Sequence, residues 1–151
     1  METTTKQNLY DEDVYRAVLG RMDQLTPETQ PQWGSMSAAQ MLAHCAEIQE
    51  VTNGKPLENT PFIVKLFKGM IRKMVLNEKP YPKSTKTHPQ YRQTSDRDFE
   101  TEKRRLLDAL AKFKAEEGVA RTHPLFGAMD AEEKGWSMYK HLDHHLSQFG
   151  V

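Results

Sequence analysis

Cysteine is nearly absent from this chain. Its one thiol, Cys45, excludes an internal disulfide framework and makes the cytoplasm the default compartment. Long apolar runs are missing too. The most apolar stretch, Pro61 to Leu76, is interrupted by Lys65, Lys68, Arg72 and Lys73, which excludes integral insertion as a transmembrane helix. Met1 to Gln7 are polar and carry no hydrophobic segment of a secretory signal. Neither sign of charge is in excess: 21 Lys and Arg stand against 21 Asp and Glu, which argues against a general nucleic-acid binder. No serine nucleophile elbow, Walker loop or dinucleotide-binding glycine pattern is present, so neither a nucleotide nor an organic cofactor is indicated. β-branched residues are sparse and no stretch alternates between apolar and polar, so strands are not expected.

What is present is helix. The 151 residues suit one domain, spanning 1–151. Val14, Val18, Leu19 and Met22 recur at helical spacing in a first helix from about Asp11 to Met22, and Thr26-Pro27-Glu28 suits one short helical turn. Ser37 and Gln40 make a capping box for a second helix that runs to about Val51 and stops before Asn53-Gly54. A third is expected over Pro61–Leu76 and a fourth over Asp96–Glu117, with Phe99, Leu106, Leu110 and Phe113 on one stripe. The fifth opens on Asp130 and Glu133 and ends near Gly150. Between the third and fourth lies a long loop, Asn77 to Thr94, with Pro80, Pro82 and Pro89. Amphipathic helices without strands predict an all-α helix bundle.

Three of the six histidines fall in His141-Leu142-Asp143-His144-His145. At 100° per residue from Met138, His145 lies near 340°, inside the apolar stripe, and His141 near 300°, on its edge; His144 falls near 240°, toward the polar side. His141 and His145 therefore face the same way, one turn apart, as metal-binding His-x-x-x-His pairs do. A third ligand must come from another helix. His44 lies on the apolar face of the second helix with Ile48, Met41 and Val51. Three neutral imidazoles leave a coordination position open, the arrangement of catalytic zinc sites, whereas histidines held only by structural hydrogen bonds are the competing reading.

The blocks Trp33 to His44, His123-Pro124-Leu125-Phe126-Gly127, and Trp136 followed by His141 to Gly150 resemble the DinB-like, or YfiT-like, superfamily. The likeness is to a branch described only as a domain of unknown function. The resemblance implies an antiparallel four-helix bundle, often a homodimer, here with an additional helix and the long proline-containing loop. It also implies a divalent metal held by the positions of His44, His141 and His145. Characterised members of that superfamily include transferases using low-molecular-weight thiols, and others have been regarded as metal-dependent hydrolases.

The leading expectation is thus a metal-dependent enzyme with Zn²⁺, Ni²⁺, Fe²⁺ or Mn²⁺ bound, acting on a small thiol or other small substrate; three imidazoles alone do not choose among these ions. Glu47, beside His44 on its helix, is a candidate for orienting a ligand or contacting metal-bound water, and His123 for proton donation. Cys45 points about 100° away from His44 and reads as a core residue, and Asp143 as a solvent-exposed one. Apolar residues cover well over half the circumference of the third helix, more than one core contact needs, so part of it is available to a second subunit or to cover the site. A basic amphipathic helix on a membrane surface also fits that pattern, against which stands the neutral overall charge. A non-catalytic bundle acting in dimerisation, metal binding or stress response is the alternative function.

Overall fold

A computed structural model of the chain describes residues 5–83, 85–86 and 88–151. Met1 to Thr4 of the polar amino-terminal segment, and Ser84 and Thr87 of the long loop, lie outside the described residues. The chain is predominantly helical, as its periodicity predicts. Helix α1 spans Glu12–Met22, α2 Ala38–Thr52, α3 Phe62–Leu66, α4 Lys68–Leu76, α5 Phe99–Ala115 and α6 Ala131–Gln148.

Local chemistry sets the helix ends. Ser37 Oγ accepts the Gln40 N–H at 3.1 Å while Gln40 Oε1 accepts the Ser37 N–H at 2.9 Å, closing the expected capping box of α2. Asp130 and Glu133 do the same for α6 at 2.8 and 3.1 Å. Asp98 Oδ2 caps α5 through the Thr101 N–H. Helix α2 lies along α5, and α6 contacts α1, α4 and α2. Between them is one core, in which Val18, Met22, Leu42, Cys45, Leu106, Leu110, Leu142 and Leu146 are almost fully buried. Tyr10 stacks on Phe113 at 4.2 Å and ties the amino-terminal segment to α5.

Four local features depart from the sequence reading. The expected third helix is two, broken at Phe67 (φ −101°, ψ 14°). A segment apolar nearly all round has no single face to dock, and only Val75 of its apolar residues is buried. Helix α4 is anchored at its carboxyl end, where Trp136 Nε1 donates to the Leu76 carbonyl at 2.9 Å and Lys140 Nζ to the Met74 carbonyl at 2.5 Å and the Asn77 carbonyl at 3.1 Å. Second, two short strands pair: β1 (Thr122–His123) runs antiparallel to β2 (Gly127–Ala128) just before α6. Third, the long loop contains a 3₁₀ turn, Pro89–Tyr91, that packs on α2. Fourth, Thr26 to Thr29 form a plain turn in which the Thr26 N–H donates to Thr29 Oγ1, not a helical one.

Candidate metal centre

Helices α2 and α6 bring His44, His141 and His145 together. One ring nitrogen from each lies within 4.8 Å of the other two. Three atoms so spaced always share a point about 2.8 Å or less from each, close to the ~2.1 Å of a zinc–imidazole bond. His44 and His145 are buried and His141 is partly exposed.

Hydrogen bonds fix which nitrogens face inward. His44 Nδ1 lies 2.8 Å from the Tyr91 carbonyl, an acceptor only, so Nδ1 carries the proton and Nε2 keeps a lone pair. The same logic reaches His145 in two steps. Gln148 Nε2 donates to the Trp33 carbonyl at 2.8 Å, so its Oε1 is the atom 2.8 Å from His145 Nδ1. His145 therefore donates from Nδ1, and its Nε2 is free to bind. The Gln148 contact depends on Gly34: its φ is +81°, and a Cβ there would stand 2.8 Å from Gln148 Nε2. His141 Nε2 lies 3.2 Å from His44 Nε2.

All three rings are held neutral, the state that binds metals. Burial pushes the His145 pKa down to about 3, reinforced by His44 and opposed by the Gln148 bond. Burial lowers His44 despite the Tyr91 carbonyl, and holds His141 well below its ordinary value with help from His145, His44 and His144.

His144 is not on an open polar surface as its helical rotation suggested. Trp33 and Tyr81, from two separate loops, lie 5.8 and 5.5 Å from its ring. Beside it Lys140 sits 4.3 Å from the Tyr81 ring, its pKa lowered to about 8 by burial. Asp143 is not free in solvent either, since Oδ1 pairs with Arg21 Nη1 at 2.8 Å.

The two further candidates have other partners. Glu47 is bonded to Lys55 Nζ at 2.5 and 3.0 Å and to Arg105 Nη2 at 3.1 Å. His123 lies in β1, where Nδ1 accepts the N–H groups of Leu125 and Phe126 at 3.0 and 3.2 Å. Among the described residues, the groups that orient the rings of His44 and His145 are Tyr91 and Gln148. Gln148 was open to sequence reasoning, being three residues past His145 on the same helix face. Tyr91 acts through its main chain and has no residue-type signal. Cys45 is buried with its thiol pKa raised by desolvation, and contacts Met41 Sδ at 3.7 Å, as a core cysteine does.

A cavity of about 700 Å³ lies elsewhere, between the end of α2 and α5, with Glu50, Lys55, Arg104, Arg105 and Arg121 on its walls.

No curated protein and no solved structure matches the chain. One family model, described as a protein of unknown function (DUF1569), matches residues 4–150. With a match over nearly its whole length, the chain belongs to the DUF1569 family.

Proposed function

We propose that His44, His141 and His145 hold a divalent transition ion, Zn²⁺, Ni²⁺, Fe²⁺ or Mn²⁺, in a metal-dependent enzyme. Its reaction is transfer involving a low-molecular-weight thiol, or hydrolysis. In this reading α1, α2, α5 and α6 form the antiparallel four-helix bundle of a DinB-like protein. The observation that carries the proposal is the pair of tautomer locks: Tyr91 and Gln148 each accept a hydrogen bond from the Nδ1–H of a buried imidazole and leave its Nε2 lone pair available. Outer partners of this kind commonly orient metal-bound histidines. Held by the neutral nitrogens of His44, His141 and His145, such an ion would supply Lewis acidity toward a water or thiol. His44 and His145 are buried, and His141 is partly exposed as a residue although burial of its ring holds it neutral. Neither the Glu47 nor the His123 interactions connect them to this chemistry.

A second reading, a non-catalytic bundle with structural histidines, draws on the 3.2 Å contact between His141 Nε2 and His44 Nε2. With His44 Nε2 an acceptor, His141 can donate to it, and that pair needs no ion.

Elemental analysis of purified, untagged protein separates the two. About one equivalent of a transition metal is expected in the wild type. It should be lost in His145→Ala and in His141→Ala but kept in His144→Ala. Metal-free protein after incubation with Zn²⁺ or Ni²⁺ at neutral pH overturns the proposal. With metal present, turnover of thiol-transfer or ester substrates that is lost in His145→Ala supports the enzymatic part.

A further inference from the structure

Among the described residues, the exposed large apolar side chains other than Val119 fall in one short segment. Phe62, Ile63, Leu66, Phe67 and Met70 are 77, 59, 61, 43 and 67% exposed, and they fall within nine consecutive residues. Their placement follows from helix geometry. On α3, Phe62, Leu66 and Ile63 share an arc of about 100°, while half-buried Val64 turns inward. On α4, Met70 lies about 140° from buried Val75, so it points outward. Exposed large apolar side chains gathered in one segment mark an interaction surface.

The neutral net charge conceals a strong segregation. Residues 59–95 contain eight Lys and Arg and a single acid, Glu78, leaving thirteen bases and twenty acids in the rest of the chain. Arg72 is paired with Glu133 at 3.0 Å. Lys65, Lys68 and Lys73, exposed and interleaved with or close after these apolar residues in sequence, have no carboxylate within 4.0 Å among the described residues. Exposed lysines rimming an apolar face are the pattern of an interfacial membrane segment. A two-fold contact with a second copy would instead bring the same lysines together with no acid in either patch to offset them.

We propose that the α3–α4 segment is a peripheral docking surface for an anionic lipid bilayer. Phe62, Ile63, Leu66, Phe67 and Met70 enter the headgroup boundary, and Lys65, Lys68 and Lys73 meet lipid phosphates. Integral insertion is not implied, since no described helix is long and apolar enough to cross a membrane. The surface operates independently of whatever the histidine centre does.

Co-sedimentation of the full chain with extruded vesicles tests this. Vesicles of phosphatidylcholine mixed with phosphatidylglycerol should bind the protein, and phosphatidylcholine alone should bind it weakly. Raising salt should release it, because attraction to the lipid charge is screened. Combining Lys65→Gln with Lys68→Gln should lower partitioning roughly thirtyfold, and Leu66→Ser by about tenfold, with the circular dichroism spectrum unchanged. Failure to bind the mixed vesicles, or binding indifferent to phosphatidylglycerol and to both lysines, overturns the proposal. A dimer seen by light scattering and broken by Met70→Lys, in a protein that does not bind vesicles, would overturn it in favour of a second copy.

Discussion

Gln148 sets the tautomer of His145. Its Nε2 is engaged by the Trp33 carbonyl at 2.8 Å, so only Oε1 is available to His145 Nδ1, also at 2.8 Å. Gln148→Leu leaves the imidazole in place but frees it to rotate and to move its proton. If His145 is a metal ligand, affinity should fall about 10- to 100-fold. Gly34→Ala should act in the same direction without touching any ring, because its Cβ would displace the Gln148 amide. Competition with a chelating indicator measures both. Unchanged affinity in the two variants would mean that the Trp33–Gln148–His145 chain is a structural contact only.

The three histidines were visible in the sequence because helical rotation alone puts His141 and His145 on one face, and His44 on the apolar face of another helix. Rotation describes a helix by itself, however, and carries nothing about loops laid over it. Hence His144 read as polar-facing, although Trp33 and Tyr81 cover it. The Tyr91 carbonyl was invisible for a related reason: the proline-containing loop has no periodicity, and a main-chain acceptor is common to every residue type. The break at Phe67 was hidden because a segment apolar on most sides satisfies a helical pattern without specifying what it packs against.

Gly135 lies where the amino-terminal segment crosses α6. A Cβ there would stand 1.9 Å from Asn8 Oδ1 and 2.7 Å from its Cγ. The same Asn8 oxygen accepts the Tyr10 N–H at 3.0 Å, and the Leu9 N–H donates to the Gly135 carbonyl at 3.1 Å. Gly135→Ala should therefore destabilise by roughly 2 kcal/mol and lower Tm by about 5 °C as residues 8–10 are forced off the helix. Gly20 in α1 has nothing within 4 Å of its would-be Cβ. Gly20→Ala should stabilise by up to ~1 kcal/mol through helix propensity. Thermal unfolding of the pair checks the opposite signs.

Arg105 joins α5 to α2. Its guanidinium bonds Glu50 at 2.5 Å, Glu47 at 3.1 Å and Glu102 at 3.2 Å, and Glu102 is buried. Arg105→Leu leaves Glu47 and Glu50 to Lys55, and Glu102 to Arg97 at 3.7 Å. A loss of about 3 kcal/mol is expected at neutral pH, because one lysine and one longer arginine contact then have to offset three carboxylates that shared Arg105. Burial acts to raise the Glu50 pKa, but Arg105, together with Lys55 and Glu47, offsets it and holds it below its ordinary value. That stabilisation is present above the unfolded-state carboxylate pKa and disappears as pH falls through the lower folded-state value. The stability gap between wild type and variant in urea should accordingly narrow in acid.

His123 supplies a pH dependence that can be isolated from the other histidines. It is buried against Phe126, at 4.6 Å between ring centroids, and its Nδ1 already accepts two N–H groups. A proton on Nδ1 would face those donors, and burial pushes its pKa down to about 4, from 6.5 in an unfolded chain. Between those values the unfolded chain binds a proton that the folded one does not. The contribution of neutral His123 is therefore complete above pH 6.5 and is lost as pH falls toward about 4, a change on the order of 3 kcal/mol. His123→Asn keeps a side-chain acceptor for the Leu125 N–H but cannot titrate in this range. Its unfolding free energy should fall less steeply with acidification than that of the wild type, whose remaining histidines are shared by both proteins and cancel in the comparison. Urea denaturation at several pH values between 4 and 7 gives both curves, and parallel curves would show that His123 accepts its proton in the folded state as readily as in the unfolded chain.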